Sequence, residues 1–118
     1  MNRIRIVLLA ALVALVVAAA APGATKSPVL VGTVGPGFTI TLTQGGKKVT
    51  ALKAGVYTFK IADKSNIHNF HLTGPGVNKK TAVAFVGNQT WTITLKKGTY
   101  KYVCDPHAPI MKGSFKVS

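Results

Sequence analysis

Acidic side chains are almost absent from this sequence, which has two Asp and Glu residues against fifteen Lys and Arg and a formal net charge of +13. A strong positive field steers a protein toward acidic partners. We therefore expect it to bind an acidic protein or an anionic surface, including a membrane surface. Several lysines stand in pairs at turns, and an ordinary solvated surface would explain these pairs equally well.

The N-terminus has the layout of a secretory signal peptide. Arg3 and Arg5 precede an apolar run over residues 6–21, in which small residues crowd the end. The run is 16 residues long, shorter than the roughly 20 that a membrane-spanning helix needs, although a retained anchor is the alternative. We predict a signal peptide over residues 1–20, cut after Ala20. The mature protein is then periplasmic or extracellular, which argues against nucleic acid as its partner.

Cysteine is scarce as well. The chain has one cysteine, Cys104, together with three histidines and two methionines. A single cysteine cannot form an intrachain disulfide, so in an exported chain it is a free thiol, an intermolecular link or a metal ligand. A bare thiol is vulnerable in an oxidising compartment, and this favours the metal ligand.

No segment after the leader has a sustained helical period. Apolar and polar residues alternate instead, which is typical of short strands with one face on a core. Phe38, Ile40 and Leu42 form one such set. Other predicted strands include residues 29–34, 67–72 and 82–86. Turn residues separate the strands, and the pattern predicts one all-β domain over residues 29–118, a sandwich or barrel of seven or eight short strands after a flexible lead over 21–28.

The residues with the most distinctive chemistry lie on one short loop near the C-terminus. Cys104, His107 and Met111 offer a thiolate, an imidazole and a thioether, and these donor types suit copper. Pro106 removes a backbone donor and ends the strand, so the turn can bring His107 back beside the sulfur. Taken alone, each has an ordinary alternative as a buried cysteine, a surface histidine or a methionine that fills a gap in the core.

A second imidazole must come from elsewhere, and residues 67–72 contain His68 and His71. If this segment is a strand, His68 shares the inward face with Phe70, whereas His71 points outward with Asn69. We therefore predict His68 as a ligand and keep His71 as the alternative. Asn69 could hydrogen-bond to the ligand loop and hold two strand ends together, or it could be an exposed polar residue.

The surroundings of His107 are uncharged in a chain that otherwise exposes lysine. Ala108, Pro109 and Ile110 flank the histidine and form a candidate docking patch. The alternative is a loop with one exposed isoleucine, which needs no special explanation.

The sequence resembles the cupredoxins of the plastocyanin, pseudoazurin and halocyanin group. The matching segments are residues 68–69, 54–59, 98–107 and 111–113. The resemblance implies a Greek-key β-sandwich with one type 1 copper at one end, and an electron exit at the exposed edge of His107 and its apolar surroundings. The ligands that it implies are His68, Cys104, His107 and Met111. Three residues separate His107 from Met111, a spacing that differs from plastocyanin and from amicyanin.

Two functions fit these expectations. The leading one is an exported, monomeric carrier of single electrons, in which one copper ion alternates between Cu(I) and Cu(II) and an acidic redox protein or anionic surface is the partner. The alternative is a protein that stores, buffers or delivers copper, with His71 and Met111 serving exchange. An enzyme is not expected, because Cys104 and His107 lack a third orienting group and the chain is too short for a substrate cleft.

Overall fold

The computed structural model describes residues 26–118. The predicted signal peptide over residues 1–20 lies outside the described residues, as does most of the predicted lead over 21–28. Within residues 26–118, no helix is long and apolar enough to cross a membrane.

The described residues form ten strands and one 3-10 turn. Two of the strands, β3 and β4, are two-residue pairings at sheet edges, and the others have four to nine residues. In chain order the elements are β1 (Val29–Val34), β2 (Ile40–Gln44), β3 (Lys47–Lys48), β4 (Ala51–Leu52), β5 (Gly55–Asp63), β6 (His71–Gly74), β7 (Val77–Lys80), β8 (Gly87–Leu95), β9 (Gly98–Val103), η1 (Asp105–His107) and β10 (Lys112–Val117).

The strands form two five-stranded sheets. The first has the order β3-β2-β1-β5-β8, and the second has the order β4-β10-β9-β6-β7. β1 pairs with β5 and β4 pairs with β10 in parallel, while the other neighbours are antiparallel. Adjacent strands that are distant in sequence are typical of Greek-key connections, so the predicted all-β Greek-key sandwich is confirmed.

The core lies between the two sheets. Alternate residues of β5 are buried from Tyr57 to Asp63, as a strand with one face on a core requires. Aromatic rings stack across the second sheet, where the Phe70 and Tyr102 centroids lie 5.6 Å apart and those of Tyr100 and Phe115 lie 5.4 Å apart. These contacts hold β9 against β10 and against the segment that leads into β6.

The strand predicted over residues 82–86 is wrong. The backbone N–H of Phe85 donates to the carbonyl of Ala82 at 3.1 Å and closes a turn. Val83 and Val86 are exposed, so this short apolar run faces no core. Its hydrophobicity without an alternating polar face was a weak sign of a strand.

The strand predicted over residues 67–72 begins only at His71, as β6. His68, Asn69 and Phe70 are all buried, so burial does not alternate there. The backbone of Phe70 bonds to Thr81 instead of a neighbouring strand: its N–H donates to the Thr81 hydroxyl at 2.9 Å, and its carbonyl accepts the Thr81 N–H at 3.0 Å. The segment therefore turns inward and delivers three consecutive side chains to the interior.

Candidate metal centre

Three donor atoms converge at one end of the sandwich. The Nδ1 atoms of His68 and His107 lie 3.0 Å apart, and the Sγ of Cys104 lies 3.6 Å from the first and 3.5 Å from the second. His68 and Cys104 are fully buried, and His107 is half-buried. The structure thus brings together three of the four predicted ligands from two parts of the chain.

The ligand loop is shaped by its own backbone hydrogen bonds. Cys104 follows β9, and the His107 N–H donates to the Cys104 carbonyl at 3.0 Å, which closes η1. The Met111 N–H donates to the His107 carbonyl at 2.9 Å, and the Cys104 N–H donates to the Met111 carbonyl at 3.0 Å. Pro106 lies in the first turn of η1, where its missing N–H costs nothing. The loop therefore folds His107 back beside Cys104.

Met111, the fourth predicted ligand, is fully buried at the inner end of this loop. Its carbonyl accepts the Cys104 N–H, which ties its backbone to that of the cysteine. β10 begins at the next residue, Lys112, and Lys112 pairs with Val103 at the end of β9. Met111 is thus held inside the protein by the closure of the β9–β10 connection.

His68 and His71 have different surroundings. His68 lies in the cluster with Cys104 and His107, whereas His71 does not belong to it. His71 lies on β6, with its Nδ1 2.8 Å from Asp105 Oδ1 and its Nε2 2.6 Å from Asn78 Oδ1. Both ring nitrogens of His71 are therefore engaged by protein groups outside the donor cluster.

Asn69 joins the two halves of the site. Its backbone N–H donates to Cys104 Sγ at 3.4 Å. Its side-chain oxygen accepts the Asp105 N–H at 2.7 Å, and its amide donates to Asp105 Oδ2 at 2.7 Å and to the Thr81 carbonyl at 3.3 Å. The predicted alternative of an exposed polar residue is wrong, because Asn69 is buried in the space between the ligand loop and β6.

Phe38 contacts the site, and its position differs from the prediction. Its ring meets those of His68 and His107 edge-on, with centroids 5.2 Å and 4.9 Å away. It is 57% exposed and precedes β2, so it does not share the core face of Ile40 and Leu42. The N–H of Gly35 donates to the Thr39 carbonyl at 2.9 Å, which closes the loop that carries Phe38 outward. The alternation of apolar and polar residues continues from Phe38 into β2, so the sequence contains no sign that Phe38 contacts the two histidines.

The two acidic residues of the chain, Asp63 and Asp105, both lie beside the site. Burial raises the pKa of Asp63 above its usual value, although hydrogen bonds from the Ser65 N–H and the Thr81 hydroxyl oppose the shift. Burial also acts to raise the pKa of Asp105, but hydrogen bonds from His71 and Asn69 outweigh it and lower that pKa. Asp105 is therefore held as a carboxylate next to Cys104.

The donors suit a bound cation. Two imidazole nitrogens and a sulfur face one another, and a shared metal ion would satisfy all three at once. A thiolate with two imidazoles in a trigonal set, with a weak thioether donor nearby, is the set that a copper electron-transfer site uses. Zinc would take a stronger fourth ligand than a thioether. The residues present thus fit copper.

Comparisons with known proteins agree with this geometry. A family model described as copper-binding proteins of the plastocyanin/azurin family matches residues 33–118. A structure of reduced rusticyanin superimposes with a TM-score of 0.57 at 24% identity, covering 80% of this chain and 81% of that one. A rusticyanin structure from Thiobacillus ferrooxidans gives a TM-score of 0.51 at 27% identity, over 80% of this chain and 79% of that one. No curated protein matches the chain by sequence.

Proposed function

The chain belongs to the plastocyanin/azurin family of copper-binding proteins, and we propose that it is an exported carrier of single electrons. It is a blue copper protein with one copper ion as its cofactor. The observation that carries the proposal is the convergence of His68, Cys104 and His107 on one point, with His68 and Cys104 fully buried. A rigid sandwich that fixes these donors suits both oxidation states, so little rearrangement would accompany electron transfer.

Each proposed ligand has its own task. His68 and His107 would bind the ion through Nδ1 and Cys104 through its thiolate, and Met111 would supply a weaker thioether donor. Bound copper supplies the one-electron couple. The N–H of Asn69 donates to the Cys104 sulfur and so withdraws electron density from the thiolate. Electron transfer of this kind does not require the ligands to act as an acid or a base, and we propose an electron carrier and not an enzyme.

An intense visible absorption on addition of Cu(II) tests the proposal. The purified mature chain should develop a strong thiolate-to-copper band, and Cys104→Ala should lose it. Cyclic voltammetry of the same sample should give a reversible one-electron wave without loss of metal. A missing band would refute the type 1 site, and a band without a reversible wave would favour copper storage or delivery. The storage alternative gains no support from His71, whose nitrogens bond to Asp105 and Asn78.

Met111→Leu separates metal ligation by the thioether from its role in packing. Met111 is fully buried, and leucine nearly conserves its volume, so the unfolding free energy of the metal-free protein should fall by less than about 1.5 kcal/mol. If the thioether binds copper, the reduction potential of the variant should rise, because the oxidised ion loses a donor. An unchanged potential would show that Met111 only fills the core.

We propose that electrons leave through His107 and the apolar patch of Ala108, Pro109 and Ile110. Ile110 is 67% exposed, and no charged side chain interrupts these three positions. Ile110→Lys should slow electron transfer to a partner while the visible band stays unchanged. Equal slowing by Val56→Lys, an exposed apolar residue at the opposite end of β5 from Asp63, would contradict the assignment.

The proposed partner is an acidic redox protein that docks beside this patch. Lys48, Lys101 and Lys112 line a cleft of about 430 Å³, and Lys112 directly follows Met111. Transfer rates should fall as salt rises, because salt screens charge steering. Lys101→Gln with Lys112→Gln should reduce the rate and its salt dependence more than Lys53→Gln with Lys60→Gln. Equal effects would indicate net charge alone, and binding of anionic lipid vesicles in place of the protein would favour a membrane surface.

We also propose that residues 1–20 are a signal peptide and that the mature protein is periplasmic or extracellular. The support is the basic start, the apolar run and the small residues before Ala20. N-terminal sequencing of the protein from the exported fraction should begin at Ala21. An intact N-terminus in the membrane fraction would instead identify a retained anchor.

A further inference from the structure

His71 is the one histidine of the described residues that lies outside the donor cluster, and it has a specific environment. Its side chain is 18% exposed, and its Nδ1 lies 2.8 Å from Asp105 Oδ1. On the other side of the ring, Nε2 lies 2.6 Å from Asn78 Oδ1. The imidazole is therefore clamped between β7 and the ligand loop.

The contact with Asp105 leads toward the sulfur. Asp105 Oδ2 accepts a hydrogen bond from the Asn69 amide, while the Asp105 N–H donates to the Asn69 side-chain oxygen, both at 2.7 Å. Asn69 in turn donates its backbone N–H to Cys104 Sγ at 3.4 Å. His71 is thus the outer end of a continuous series of hydrogen bonds that ends on the Cys104 sulfur.

The Asp105 carboxylate needs an anchor on its outer side. Its side chain is 40% exposed, so without a partner on β6 it could rotate toward water and release Asn69. His71 Nδ1, 2.8 Å from Asp105 Oδ1, supplies this partner. Lys80, opposite His71 in the β6–β7 register, adds a more distant positive charge.

We infer that His71 is a positioning residue for the copper thiolate. By holding Asp105, it keeps Asn69 oriented so that its N–H points at Cys104 Sγ. A hydrogen bond to the sulfur stabilises the electron-rich reduced site and raises its potential. His71 would therefore tune the redox potential without touching the metal. This inference rests on the proposed function, since it assigns a redox role to the same site.

Three substitutions at His71 separate its two contacts. Asparagine places an amide near the position of Nδ1 and can still donate to Asp105, whereas glutamine reaches toward Nε2 and Asn78. Leucine removes both contacts. We expect His71→Leu and His71→Gln to lower the reduction potential and shift the visible band, and His71→Asn to restore most of both.

The metal-free protein provides an independent readout. In His71→Leu, the backbone amide of Asn69 should exchange with solvent at least several-fold faster, and its side-chain amide resonances should move toward free-amide values in NMR spectra. In the Asp105→Ala background, adding His71→Leu should change neither the potential nor these resonances, because the link through Asp105 is already broken.

Lys80→Gln is the matched control. It removes a positive charge next to the pair without removing any hydrogen bond in the series, so it should shift the potential less than His71→Leu. The inference is overturned if His71→Leu leaves the potential and the Asn69 amide unchanged, if Lys80→Gln shifts the potential as much, or if asparagine restores no more than glutamine. Failure of the wild-type protein to show a reversible couple would refute the proposed function, whereas the Asn69 measurements would still test the positioning.

Discussion

Single buried polar side chains hold the metal end of this protein together. Thr81 is buried, and its hydroxyl both donates to Asp63 Oδ2 at 3.1 Å and accepts the Phe70 N–H at 2.9 Å. Its carbonyl also accepts the Asn69 amide. One threonine therefore fixes the segment that carries His68.

Thr81→Val should destabilise the protein by about 1–3 kcal/mol, because it leaves the Phe70 N–H and an Asp63 oxygen buried without a partner. Urea unfolding of the metal-free protein measures this loss. Thr81→Ser retains the hydroxyl and should lose clearly less stability. A valine variant as stable as the serine variant would show that the hydroxyl is dispensable.

Asp63 should make the folded protein less stable as pH rises, whereas a salt-bridged carboxylate makes it more stable as pH rises. Its pKa is raised in the folded protein, chiefly by burial, so the folded state holds this proton more tightly than the unfolded chain does. Stability from this group is then lost as pH rises from about 4, where the unfolded group titrates, through the raised folded pKa. In urea unfolding of the metal-free protein, the stability of the wild type relative to Asp63→Asn should fall over that range. A constant difference would contradict the prediction.

Among the elements, the second sheet relies on tyrosine rings that lie over glycines. A methyl group at Gly74 on β6 would overlap the ring of Tyr100 on β9, and one at Gly113 on β10 would overlap Tyr102. The Tyr100 ring cannot move aside freely, because its hydroxyl donates to the Pro75 carbonyl and accepts the Lys96 N–H, both at 2.9 Å. The absence of a side chain at these glycines lets the rings cover the sheet.

Gly74→Ala should therefore cost about 1–3 kcal/mol, the usual range for overpacking a core. Thermal unfolding of the metal-free protein checks this, and Gly37→Ala is the control because a methyl group there meets nothing within 4 Å. Equal melting temperatures for the two variants would show that the Tyr100 ring shifts without cost.

At the scale of the whole molecule, the metal is expected to add stability to a fold that forms without it. The hydrophobic core runs between both sheets, and the donor atoms are already close together. At a free copper concentration of 100 times the dissociation constant, binding would add about 2.7 kcal/mol. For a domain of this size that corresponds to a melting temperature about 10–20 °C higher.

Differential scanning calorimetry with and without copper measures this shift. Metal-free protein should still unfold cooperatively, and a chelator should return the loaded protein to the metal-free melting temperature. Cys104→Ala should show little stabilisation by copper. A metal-free chain without a cooperative transition would instead show that the ion is required for folding.

Charge is distributed unevenly over the whole molecule. The net charge is +13, yet both acidic residues lie beside the metal site. Each is bonded within the network around Asn69 and Thr81, and every other charged side chain of residues 26–118, histidines aside, is a lysine. An acidic partner is proposed because a basic surface of this kind steers toward negative charge.

Much of the fold and the ligand loop of the site follow from local patterns. Period-two alternation predicted the β-sandwich, because a half-buried strand imposes that period on its own residues. It missed β7, which is mostly exposed, has a single apolar residue, Val77, and is defined by its pairing with β6. Cys104, His107 and Met111 were predictable as a group, because one short loop closed by its own hydrogen bonds holds them together.

The remaining features depend on contacts between distant parts of the chain. The inward position of His68 was predicted from strand alternation, yet the segment is not a strand there, and contacts with Thr81 and Asp105 turn it inward. The ring of Phe38 lies edge-on against both imidazoles, and His71 bonds to Asp105. Each of these contacts joins residues thirty or more positions apart. Local periodicity reports which face of an element is buried but not which distant side chain it meets, so these contacts required the packed sandwich.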